Sequence, residues 1–95
     1  MKIREVNENK KQFISLLLLA DEQESMVDRY LEKGTMYVLE DNDVKAECVV
    51  TEEGNEILEI KNIAVDPENQ GKGYGKALID FLASKYADEY SVLQV

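Results

Sequence analysis

The chain has no histidine and no tryptophan, a single cysteine and a single proline. Without histidine there is no Ser-His-Asp triad, no side chain that ordinarily titrates near neutrality, and no access to the commonest metal ligand. A lone Cys48 excludes an intrachain disulfide and any thiolate cluster, so no metal is expected and a reducing cytoplasm fits. Basic residues are also scarce: 11 Lys and Arg stand against 20 Asp and Glu, a formal charge of −9. Nucleic acids and anionic membranes are recognised through basic patches, so neither is an expected partner. The acidic balance suits a soluble protein, and its field would also draw cationic amines. The apolar stretch Ile14 to Ala20 is short, internal and interrupted by Ser15, which suits neither a signal peptide nor a membrane span.

What is present fits one domain over residues 1–95, with no linker, repeat or low-complexity segment. Lys2 to Val6 alternates as a short strand, and Asn7 or Asn9 is placed to cap a helix carrying Phe13, Leu16, Leu17 and Ala20. A second helix is predicted over Glu24 to Lys33, stopped by Gly34 in a left-handed cap. From Thr35 the period changes to two. Runs at Met36 to Glu40, Val44 to Thr51 and Ile57 to Asp66, joined by short polar turns, predict an antiparallel meander that ends before Pro67. Leu78, Phe81 and Leu82 mark the inner face of a helix from about Tyr74 to Tyr86, and Ser91 to Val95 reads as a last strand. A strand, helix and strand in one sheet imply a right-handed crossover, so that strand should lie parallel to Ile57–Val65. The fold class is α+β with a mixed, mostly antiparallel sheet.

Two local features stand out. Residues Gln70 to Lys76 read Q-G-K-G-Y-G-K, between a strand and a helix. Closely spaced glycines let backbone approach a ligand, and the helix start aims free N–H groups and a positive dipole end into the turn, which makes an anion cradle. The Walker spacing fails because position 70 is Gln, and the dinucleotide spacing fails because position 76 is Lys. In the strand before it, Leu58 and Ile60 hold one phase while Ile63 and Val65 hold the other. Either a β-bulge near Lys61 to Ile63 absorbs the slip, or the strand end is buried on both faces.

The pattern Q-x-x-G-x-G at Gln70, Gly73 and Gly75, with I-A-V-D-P-E-N before it and K-A-L-I-D-F-L after it, resembles the acetyl-CoA signature of GNAT superfamily N-acetyltransferases. The order of elements along the whole chain resembles that family as well. The resemblance implies an acetyl-CoA-dependent transfer of an acetyl group to a primary amine by direct attack, with a small-molecule or peptide amine as partner. It implies that the amides of Gln70, Gly71, Lys72, Gly73, Tyr74 and Gly75 hold the pyrophosphate of CoA, that Lys72 and Lys76 add positive charge there, and that Ile63, Ala64 and Val65 pair with the pantetheine arm. It points to Glu59, six residues before Val65, as the catalytic base; the structural alternative is an exposed carboxylate paired with a cross-strand lysine. Cys48 alternates with Val44, Ala46 and Val50 and reads as a small buried hydrophobe, and Tyr30, Tyr86 and Tyr90 read as packing residues. For Tyr74 the backbone is expected to matter more than the hydroxyl.

Family members continue past the last strand with a helix and usually two more strands, so the chain reads as the N-terminal, cofactor-binding portion of such a protein, C-terminally truncated. An exposed edge at Ser91 to Val95 would invite a homodimer. The alternative function is a catalytically silent CoA-binding or protein-interaction module on the same scaffold.

Overall fold

Between Thr35 and Val65 the β-branched and aromatic residues fold as three antiparallel strands: β2 (Thr35–Asp41), β3 (Asp43–Glu52) and β4 (Ile57–Val65). The β2–β3 turn pivots on Asn42 at φ 75°, a conformation asparagine tolerates better than most residues. β1 (Lys2–Val6) pairs antiparallel with β2, and β5 (Val92–Gln94) pairs parallel with β4, giving the order β1-β2-β3-β4-β5. A 3-10 turn at Lys10–Phe13 leads into α1 (Ile14–Ala20), followed by α2 (Glu24–Asp28); the crossover helix is α3 (Tyr74–Lys85). The computed structural model describes all of residues 1–95. No helix is long and apolar enough to cross a membrane.

Helices cover both faces of the sheet, so there are two cores. On one face Tyr37, Cys48, Val50, Leu58 and Ile60 pack with Leu78 and Leu82 of α3. On the other, Val38 and Val49 pack with Leu17 of α1 and Val27, Tyr30 and Leu31 of the α2 region. Cys48 is wholly buried among aliphatic side chains, and burial pushes its thiol up to about 12, so it acts as a small hydrophobe.

Two bulges decide which residues reach which core. In β4, Ile60 pairs with Val50 and Asn62 with Val49, which leaves Lys61 as the extra residue. Ile63 and Val65 thereby return to the face of Leu58 and Ile60, against α3, while Asn62 reaches the α1 face. The phase slip in the sequence is this bulge. A second bulge lies in β3, where Ala46 pairs with Leu39 and Val44 with Glu40 around an extra Lys45. Val44 consequently packs on the α1 face, not in phase with Ala46 and Cys48 as the alternation predicts.

The α1–α2 region departs from expectation in two further ways. Asn9 precedes the 3-10 turn with φ 51° but offers no side-chain cap. α2 ends at Asp28, not at Lys33, and the chain from Arg29 to Gly34 continues as turns. Gly34 is not a left-handed cap, since positive φ values occur at Gly54, Gly71 and Gly73 but not there. Its small size is required for packing: a Cβ would stand 2.8 Å from Val49 Cγ1 and 2.9 Å from the Tyr30 carbonyl oxygen.

The short α2 is held from outside. Lys10 is buried, and its ammonium donates to the carbonyls of Leu31 at 2.9 Å, Glu32 at 3.3 Å and Gly34 at 2.8 Å. One side chain thus satisfies carbonyls of the turns after α2 that have no helical partner. Lys10→Met keeps the stem and removes the three donors. It should destabilise the fold by about 2–3 kcal/mol, the scale of lost charge-assisted hydrogen bonds with buried partners left open, read from urea denaturation.

Candidate functional site

Pro67 ends β4 and opens a 3-10 turn, Pro67–Asn69, capped by the Asp66 carboxylate, which accepts from the Glu68 amide at 3.1 Å. Gln70 donates from Nε2 to the Val65 carbonyl at 3.3 Å, folding the turn back on the strand end. Gly71 and Gly73 then take φ +84° and +86°, and a Cβ built on either meets nothing within 4 Å. They are glycines for conformation, and the space beside them is open. No backbone amide from Gln70 to Lys76 donates to a backbone carbonyl of the chain. The first turn of α3 accounts for part of this, and its dipole adds positive potential at the same spot.

Next to this turn lies a cleft of about 650 Å³. One side is the turn itself. The second is Ile63, Ala64 and Val65 of β4, and the rest comprises Leu19 and Ala20 at the end of α1 and Ile79 of α3. The β4 edge is accessible here because β5 pairs with β4 only at Ile57, Leu58 and Glu59. The cleft therefore combines unpaired strand edge, an apolar lining and a ring of unbonded amides. It suits an elongated ligand with an anionic end.

Of the eleven residues singled out in the sequence, Ile63, Ala64, Val65, Gln70, Gly71, Gly73, Tyr74, Gly75 and Lys76 line this cleft. Lys72 does not; its ammonium donates to Oδ1 of buried Asn69 at 3.0 Å and braces the turn from beneath. Lys76 pairs with Asp80 at 2.7 Å on an exposed face, an interaction of little energetic weight. The Tyr74 hydroxyl donates to Asp41 at 2.6 Å, tying the start of α3 to the β2–β3 turn. Tyr86 and Tyr37 share a hydroxyl contact at 2.6 Å on the α3 face, and Tyr86 stacks edge-on with Tyr90.

Glu59 lies apart from the cleft lining. Its carboxylate pairs with Lys61 at 2.7 Å and accepts from Gln94 Nε2 at 2.7 Å. These hydrogen bonds hold its carboxyl below the usual carboxylate range, which makes it ionised and a weak base. No group of three or more carboxylate or thiol side chains converges to hold a metal ion.

Sequence reasoning passed over one buried carboxylate of the sheet. Glu47 sits in the centre of β3, paired with Val38 and Ala64, and is completely buried. Neither carboxylate oxygen has a hydrogen-bond partner in the chain, and burial alone pushes its carboxyl up to about 8. In the sequence it looks like any solvent-facing acid of an alternating strand, and only α1 and α2 lying over that face reveal otherwise.

Residues 32–95 match the family model described as the acetyltransferase (GNAT) domain. The chain is 40% identical over 73 residues to an uncharacterized N-acetyltransferase, YvbK, of Bacillus subtilis strain 168, covering 76% of this chain and 47% of that protein. Among solved structures it is similar to an IAA acetyltransferase from Bacillus cereus ATCC 14579, with TM-score 0.82 and 34% identity over 90% of this chain and 57% of that one. It is also similar to a GNAT family acetyltransferase from Elizabethkingia anophelis with acetyl-CoA bound, with TM-score 0.84 and 31% identity over 94% of this chain and 60% of that one. The chain thus spans about half to three fifths of the length of these relatives.

Burial of Glu47 links stability to pH. A carboxyl whose folded pKa is raised to about 8 binds a proton that the unfolded chain has already lost, so stability falls as pH rises from about 5 to 8 and levels above that. Urea denaturation at a series of pH values should show this decline in the native protein, and Glu47→Gln should flatten it.

Proposed function

The chain belongs to the GNAT acetyltransferase family, and on that premise we propose that it forms the cofactor-binding portion of an enzyme transferring the acetyl group of acetyl-CoA to a primary amine. The observation that carries this reading is the pairing, in one cleft, of unbonded amides from Gln70 to Lys76 with an accessible β4 edge at Ile63 to Val65. The amides and the start of α3 would hold the pyrophosphate. The edge of Ile63, Ala64 and Val65 would bond the amide-rich pantetheine arm as a strand bonds a strand. The fit is supported by the glycines themselves, since a Cβ at Gly71 or Gly73 would project into open space that a ligand backbone could fill.

Acetyl-CoA, when bound, supplies the activated acetyl group. The chain's own residues orient it and manage protons. A primary amine is protonated at neutral pH and has to lose a proton before its nitrogen can attack. Glu59 is the carboxylate that the family resemblance points to, and it would have to part from Lys61 to serve. The acceptor itself would be a small-molecule or peptide amine, drawn by the −9 charge of the chain. A reducing cytoplasm, in which Cys48 stays a thiol, is the setting this reading supposes.

CoA should raise the thermal midpoint of the protein in a saturable way, and Gly73→Ala should weaken that binding about tenfold or more. The alanine is strained at φ +86°, and its methyl group occupies the cradle. No shift at millimolar CoA would remove the cofactor and with it the function. Glu59→Gln should lower the rate of amine acetylation by about three- to tenfold and leave CoA binding unchanged, because the carboxylate it replaces is engaged and weakly basic.

A further inference from the structure

Glu47 is the one fully buried carboxylate of the chain, and no packing role accounts for it. A leucine of similar size would avoid the desolvation penalty. Three buried side-chain atoms lack a hydrogen-bond partner within the chain: Glu47 Oε1, Glu47 Oε2 and Asn62 Oδ1. All three are acceptors, and they belong to one face of the sheet. Asn62 pairs with Val49 and Glu47 with Ala64, so the two side chains are diagonal neighbours on adjacent strands, on the face covered by α1 and α2.

The surroundings supply no donor to them. From α1 comes the Leu17 carbonyl, which accepts from Asn62 Nδ2 at 3.0 Å. From the α2 region comes the Tyr30 hydroxyl, which accepts from Asn62 Nδ2 at 3.0 Å and donates to Asp21 at 3.2 Å. β2 contributes Val38, and the Cys48 thiol lies on the opposite face. Lys61 and Glu59, further along β4, are paired with each other. Three free oxygens carrying one formal charge match an alkylammonium group, which has three N–H donors and one positive charge.

Glu47 and Asn62 both lie next to the cleft lining. Ala64 lines the cleft and is the strand partner of Glu47; Leu19 and Ala20 line the cleft while Leu17, one turn earlier, holds Asn62. The Tyr30 hydroxyl of this face donates to Asp21 in the link after α1, and Asp21 is only half-buried.

Resting on the amine-transfer reading above, we propose that Glu47 and Asn62 form the seat of the acceptor's amino group, which enters as an ammonium ion, donates to the three free oxygens and gives one proton to Glu47. One N–H bond breaks with its electron pair remaining on nitrogen, one O–H bond forms on the carboxylate, and both groups become neutral. The freed lone pair is the nucleophile that acyl transfer needs. The carboxyl's displacement to about 8 brings it toward the basicity of an amine and makes the transfer less uphill.

The test uses primary alkylamines with acetyl-CoA, and separately n-butylammonium alone. Glu47→Gln should lower kcat/KM for amines by about 100-fold with CoA affinity unchanged, a far larger loss than Glu59→Gln causes. Glu47→Leu should lose activity equally while raising the thermal midpoint, which a residue kept for structure would not do. The native kcat/KM should rise with pH to about 8 and then level. Independently of turnover, carbon NMR of labelled glutamate should show one carboxyl titrating near pH 8, absent in Glu47→Gln, whose midpoint n-butylammonium lowers and tetramethylammonium, having no N–H donor, does not. Glu47→Gln activity within threefold of native, or a midpoint indifferent to n-butylammonium, would overturn the proposal. If the native protein fails to bind CoA, the acetyl-transfer reading falls, while the NMR titration still decides the fate of the amine seat.

Discussion

The extra residue at Lys61 is the constraint on which the site depends. Without it, Ile63 and Val65 would fall on the α1 face and Asn62 and Ala64 on the α3 face, because one step of register exchanges the faces of a strand. With it, β4 keeps an apolar face toward α3 along its whole length. At the same time it presents Asn62 beneath α1 and leaves Ile63 to Val65 at the cleft. A single insertion thus reconciles a packed crossover helix with a functional edge. The second bulge, at Lys45, acts at the neighbouring position of the sheet: the Lys45 carbonyl accepts from the Asp66 amide at 2.8 Å and fixes where β4 gives way to the glycine turn.

On the proposed reading, anion recognition in so acidic a chain would fall to backbone, not to the lysines expected to add charge. Lys72 is spent on Asn69 and Lys76 on Asp80, so the unbonded amides from Gln70 to Lys76 carry the potential at the mouth of α3. Amides are neutral and preorganised, and they do not soften the negative field that attracts cationic acceptors elsewhere on the molecule. The two ends of the proposed reaction, an anionic cofactor and a cationic acceptor, are therefore served by different chemistry: fixed dipoles at the turn and carboxylates beyond it.

Much of this was legible in the sequence where local rules decide the outcome. The meander from Thr35 to Val65 is written in its alternation and turn residues, the glycine turn in its spacing, and the β4 bulge in the phase change between Ile60 and Ile63. The illegible parts depend on distant neighbours. α2 stops at Asp28, and the turns that follow it are held by Lys10, far off in the chain. Gly34 reads as a helix cap, yet its size is demanded by Val49 on another strand. Glu47 reads as a surface residue because alternation says which residues share a face but not whether a helix covers it.

The same region holds the stabilising and destabilising extremes of the structure. Lys10 binds three carbonyls at the end of the α2 region, and Tyr30 from that region reaches Asn62 and Asp21. A few residues away, Glu47 and the Asn62 carbonyl oxygen lie buried without partners. A five-residue α2 has little internal cooperativity, and short helices draw their stability from packing.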